Sequence, residues 1–155
     1  MIIAVTDISK MKRYPIVLAI AGSDSGGGAG IQADIKAISA TGSYAASAIT
    51  AVTVQNTLGV QAVHNVPADI VRGQIDAVLD DIGADVVKIG MLGSAELVRT
   101  VKTCLEKHGF TNIVLDPVMV ATSGDTLTEE SAVPVLEREL CPFSRLLTPN
   151  IPEAE

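Results

Sequence analysis

Residues 16–20 read Ile-Val-Leu-Ala-Ile, an unbroken apolar run that fits a strand buried on both faces. Residues 21–30 then read Ala-Gly-Ser-Asp-Ser-Gly-Gly-Gly-Ala-Gly, and Ile31, Ile35 and Ile38 follow at helical spacing. The pattern therefore changes from strand to helix across Gly22, Gly26, Gly27, Gly28 and Gly30. Glycine tolerates positive φ and lets other groups approach the backbone. A strand, a glycine loop and a helix N-terminus make a site for a polar or anionic ligand. The loop lacks the Lys-Ser/Thr ending of a P-loop, and Lys36 falls inside the helix. Its crowded glycines also miss the dinucleotide-binding spacing. A flexible turn is the plain alternative, but Ser23, Asp24 and Ser25 inside the loop favour a ligand.

The rest of the chain repeats the alternation. Residues 44–55 predict a strand, clearest over 48–55, and 60–66 a short edge strand. Pro67 opens a helix whose stripe is Ile70, Val71, Ile75, Val78 and Leu79. Residues 85–91 predict the next strand. Ser94 caps a helix buried through Leu97, Val98, Val101, Cys104 and Leu105, and Gly109 stops it. Residues 112–116 form another strand, followed by a polar loop over 117–128 containing Ser123, Gly124 and Asp125. Thr128 caps a helix reaching about Leu140, with Pro134 in its first turn. Residues 146–150 make a last strand. Strands alternating with helices predict an α/β fold, a mostly parallel sheet with helices on both faces. Such sheets bind ligands beyond the carboxyl ends of their strands.

The net charge of −7, with no basic cluster, argues against nucleic acid as a partner. A phosphorylated ligand would need local backbone N–H groups, a metal ion or a few cations. Cys104 and Cys141 stand far apart in no metal-type spacing, which argues against a disulfide framework and for a reducing cytoplasm. Cys104 reads as a core residue, and His64 and His108 as surface or element-end residues. No apolar run is long enough to cross a membrane. Residues 1–13 read as an N-terminal tail rather than a signal peptide, with Met11 an alternative start.

Several residues at the strand ends could carry chemistry. Gln55 offers an amide donor and acceptor side by side, a match for the edge of an aminopyrimidine. Asp34 lies one turn into the first helix, where the dipole welcomes a carboxylate. Met91 could lay a polarizable thioether on a flat ring. Asp116, Asn150 and Glu153 are oxygen donors after successive strands, which suits Mg²⁺ held mainly through water and phosphate. Each alone also reads as a cap or a core residue. Lys88, inside a strand, must pair its charge or direct it to a strand end.

Five stretches then follow one another in order: the glycine segment through Gln32-Ala33-Asp34, Ala-Val-Thr-Val-Gln-Asn-Thr (51–57), Lys-Ile-Gly-Met-Leu (88–92), Val-Leu-Asp-Pro-Val-Met (114–119) and Leu-Thr-Pro-Asn-Ile-Pro-Glu-Ala (147–154). As a set they resemble the hydroxymethylpyrimidine/phosphomethylpyrimidine kinases of thiamine biosynthesis, a ribokinase-like family, over 16–155. The resemblance implies transfer of the ATP γ-phosphoryl to 4-amino-5-hydroxymethyl-2-methylpyrimidine, and then to its monophosphate. It implies a pyrimidine pocket of Ala29, Asp34, Thr53, Gln55, Met91 and Val118, where Thr53 stands at a position the family can fill with an apolar residue. It places ATP phosphates and Mg²⁺ by Asp116, Asn150 and Glu153, with Asp116 and Glu153 toward the metal. It implies a homodimer and no membrane.

Residues 14–155 would then be the N-terminal part of a kinase domain. The family's later glycine-rich anion hole and adenine loops are expected beyond it, so the chain is expected to be incomplete for catalysis. Two other readings stand beside this one: a pyridoxal kinase of the same fold, and a non-catalytic pyrimidine-binding domain.

Overall fold

The computed structural model describes residues 13–119 and 128–154; residues 1–12 of the N-terminal tail and the Ser123-Gly124-Asp125 segment lie outside them. The central strand is β1 (Ile16–Asp24), and the glycine loop leads from it into α1 (Gly30–Ala40). Strand β2 (Tyr44–Asn56) returns parallel to β1, and β3 (Gly59–Asn65) folds back antiparallel on β2. Then come α2 (Ala68–Asp81), β4 (Val86–Ile89), α3 (Ala95–Lys107) and β5 (Ile113–Leu115). Helix α4 (Val133–Val135) runs into a π turn at Leu136–Leu140, followed by β6 (Leu146–Leu147) and α5 (Ile151–Ala154). The sheet order is β3-β2-β1-β4-β5-β6, parallel except at β3.

The predicted mixture of parallel strands with helices on both faces is what the chain adopts. Alternate residues of a strand face opposite sides. Leu18, Ile20, Val87, Ile89, Ile113 and Leu115 join Val71 and Ile75 of α2 and the buried stripe of α3 in one core. Each such side chain, fully buried, stabilises the fold by about 1.5–3 kcal/mol. On the other face Ala19 and Ala21 pack against Ile31 of α1, a thinner layer of small residues. That thinness later leaves room for a charged side chain.

Several boundaries differ from the sequence expectation. Strand β2 begins at Tyr44 as predicted, but β4 and β5 are shorter than their apolar runs, because pairing with neighbours rather than composition ends a strand. Ile35 and Ile70 are exposed, each lying at the edge of its helical stripe rather than on the sheet. Pro67 is the N-cap of α2 rather than its first helical residue. Thr128 does not cap a helix: its hydroxyl donates to the carbonyls of Leu92 and Val118, tying the chain back to the strand ends.

Ser94 caps α3 as expected, its Oγ accepting the Leu97 N–H at 3.2 Å. Ser94→Ala should cost about 1 kcal/mol, read as a lower urea midpoint at unchanged slope. His108 ends α3, but it is largely buried rather than on the surface, its ring bonded to Asp76 at 2.7 Å. Gly42 and Gly109 take positive φ just past α1 and α3.

Candidate active site

The glycine loop is built around Asp24. Its carboxylate accepts the N–H groups of Gly26, Gly28 and Ala29 at 2.7–2.9 Å, and its carbonyl accepts Gly27 N–H at 3.0 Å. Burial pushes the Asp24 carboxyl up; the N–H groups of Gly26, Ala29, Gly28 and Gly27 outweigh it and hold it below the ordinary carboxylate range. Gln32 and Lys36 of α1 strap the loop further, Gln32 accepting Asp24 N–H and Lys36 donating to the Gly27 carbonyl. Gly30 sits at φ +57° with the Gly22 carbonyl against its Cα, so any Cβ there would strike that oxygen. The expectation that this loop offers its amides to an anion needs correction: four of them, at Gly26, Gly27, Gly28 and Ala29, are already spent on Asp24.

Beside the loop, the end of β2 is pinned by Ser25, whose Oγ donates to the Gln55 carbonyl and accepts Gln55 N–H. The β2–β3 register shifts between Val54 and Gln55. Thr53 is buried, and its single hydroxyl proton is shared between the Ser23 carbonyl and Gln55 Oε1, both at 3.0 Å. Gln55 Nε2 has no hydrogen-bond partner among the described residues. Thr53→Val removes both bonds while keeping the shape. It should lower stability by about 1 kcal/mol, checked by urea unfolding against Thr53→Ser, which should lose less.

Lys88 is the residue that sequence reasoning left unassigned. Its Nζ lies 3.1 Å from Asp34 Oδ1 and 3.4 Å from Asp116 Oδ2. Asp34 lies past the first turn of α1 and is paired with a strand lysine 54 positions away. Asn150 and Glu153 bind each other reciprocally: Asn150 Oδ1 accepts Glu153 N–H at 3.0 Å, and Glu153 Oε2 accepts Asn150 N–H at 2.9 Å. That is a capping box, and it opens α5.

All the residues singled out from the sequence meet in one open cavity of about 570 Å³ over the strand ends. Ala29, Asp34, Thr53, Gln55, Met91 and Val118 line it together with Asp116, Asn150 and Glu153. Met91 is buried, its sulfur close against Gly22, where a Cβ would come within 3.2 Å. Lys88 and Thr148 line the cavity too; both lie in stretches that carry the resemblance, but neither had been given a role.

A parallel sheet with one antiparallel edge strand, a glycine loop after its central strand and carboxylates over its strand ends defines a ribokinase-like fold. The chain belongs to the phosphomethylpyrimidine kinase family, whose model matches residues 24–155. It is 50% identical over 138 residues to the hydroxymethylpyrimidine/phosphomethylpyrimidine kinase of Bacillus subtilis, covering 89% of this chain and 51% of that protein.

The crystal structure of phosphomethylpyrimidine kinase from Clostridium difficile is similar at TM-score 0.85 and 48% identity, over 91% of this chain and 61% of that one. The pyridoxal kinase of Staphylococcus aureus in complex with AMP-PCP and pyridoxal is similar at TM-score 0.79 and 33% identity, over 92% of this chain and 51% of that one. The chain spans between 26% and 54% of the length of the curated relatives it matches.

Proposed function

We propose that this chain builds the pyrimidine pocket and the metal–phosphate side of an ATP-dependent kinase. Its substrate is 4-amino-5-hydroxymethyl-2-methylpyrimidine and then its monophosphate. The observation that carries the reading is one shared cavity, lined by the Gln55 amide, by apolar Ala29, Met91 and Val118, and by the strand-end carboxylates of Asp116 and Glu153. Gln55 donates through Nε2 to a ring nitrogen and accepts the exocyclic amine on the second lone pair of Oε1. Met91, Val118 and Ala29 cover the ring. Asp116, Asn150 and Glu153 border the triphosphate.

The donor set fits Mg²⁺ through water and phosphate. It is oxygen only, and among the described residues no three metal-ligating side chains cluster. Asp116 Oδ1 and Glu153 Oε1 would hold the ion's water shell, leaving Asp116 Oδ2 on Lys88 and Glu153 Oε2 on its cap. When bound, such an ion neutralises charge on the transferring phosphoryl group. The reading brings with it a cytoplasmic setting and a homodimer, as in the family it resembles. The two free cysteines support the cytoplasmic setting; among the described residues no helix is long and apolar enough to cross a membrane.

Calorimetry with the pyrimidine and with Mg-ATP, each alone, tests the reading. Binding of both is expected. Binding of the pyrimidine alone would instead make this a non-catalytic pyrimidine-binding domain, and binding of neither would end the proposal. The structural likeness to a pyridoxal complex makes pyridoxal the competitor to include. Gln55 favours the aminopyrimidine, because pyridoxal has no amino group beside its ring nitrogen.

A further inference from the structure

Lys88 sits in the middle of β4, paired with Ala19 of β1 and Val114 of β5. Its side chain projects to the α1 face, the face opposite Val87 and Ile89. There the wall is small: Ala19 and Ala21 flank it, and Gly90 leaves a gap. A Cβ at Gly90 would come within 3.1 Å of Lys88 Nζ and 3.0 Å of the Ala21 Cβ. The ammonium thus reaches the strand ends along a channel of small residues. Among the described residues lining the cavity it is the one basic side chain, and it shares the cavity with the carboxylates of Asp24, Asp34, Asp116 and Glu153. Asp24 is taken up by the loop amides. Lys88 therefore divides itself between Asp34 and Asp116, nearer to Asp34.

We infer that Lys88 is a positioning residue that serves as a resident cation at Asp116, keeping a bare divalent ion out of the site and admitting one that arrives with a triphosphate. The inference rests on the functional reading above. A bare ion approaching Asp116 meets an ammonium already bound to Oδ2, and like charges at this range repel. A metal–triphosphate complex carries net negative charge, so the same ammonium attracts it. Asp34 gives Lys88 somewhere to go: the ammonium can shift wholly to that carboxylate without losing a partner.

Manganese binding followed by electron paramagnetic resonance tests this without relying on turnover. Without nucleotide, Lys88→Gln and Lys88→Met should bind Mn²⁺ about tenfold more tightly than the unaltered chain, and Lys88→Arg should not. With ATP present the advantage should vanish or reverse. Adding Asp116→Asn to Lys88→Gln should remove the gain. Equal affinity of the unaltered chain and both neutral variants for bare Mn²⁺ would overturn the inference alone. Failure of the unaltered chain to take Mn²⁺ even with ATP would overturn the functional reading, and the inference with it. Should the neutral variants not fold, isotope-labelled lysine in the unaltered chain decides. The Lys88 ε-methylene resonance should move with Mg-ATP and stay in place with the same concentration of Mg²⁺. An equal response to both would overturn the inference.

Discussion

Asp24→Ala is expected to be the most damaging single change in the described residues outside the main core. It removes the acceptor for the N–H groups of Gly26, Gly28 and Ala29 and leaves those amides unpaired in a tight turn. Hydrogen bonds to a charged group contribute about 1.5–3 kcal/mol each, and they are not additive, so a loss of about 3–5 kcal/mol is expected. Asp24→Asn should fall between, since its one oxygen cannot accept from all three. Urea unfolding measures both.

The same carboxylate sets a pH dependence. Its folded value is depressed below its ordinary value near 3.8. The loop's stabilisation is therefore fully present above that value and is lost as pH falls below it toward the depressed one. The Asp24→Ala chain should lack this part of the acid transition. A loop that kept its stability and its acid response without Asp24 would show that the carboxylate does not organise it.

Gln55→Leu should have the largest effect on recognition. On the proposed reading it removes a donor and an acceptor facing the aminopyrimidine and leaves that edge unpaired against an apolar wall. Mismatches of this kind cost about 2–3 kcal/mol, or roughly a hundredfold in affinity. Pyridoxal should lose far less, so the ratio of the two affinities is the readout. Fold stability should change little, because Gln55 is only part-buried and its backbone bonds to Ser25 remain. An equal loss for both ligands would mean that Gln55 supports the pocket without reading the ring.

The order of strands and helices was legible because apolar runs, caps and glycine stops all repeat a local signal. Ser94 announced α3 by its own chemistry, and Gly109 announced its end. What escaped was long-range. Nothing near Lys88 in the chain shows that Asp34 and Asp116 converge on it, since β1, β4 and β5 must first assemble. Asp24 was visible as a loop carboxylate, but its turning inward onto the amides depends on the loop's path. The Asn150–Glu153 spacing supports two meanings at once: it is a capping box in the structure and a phosphate-side pair in the proposed function. Helical stripes were read too widely at Ile35 and Ile70, because periodicity marks a face and only packing marks its edge.

Magnetic relaxation of the pyrimidine's protons by Mn²⁺-ATP tests the shared cavity most directly. With ring and nucleotide bound together, the hydroxymethyl protons should broaden more than the ring methyl, and Asp116→Asn should weaken the effect. Protons left sharp while both ligands are demonstrably bound would place them apart and contradict a common site.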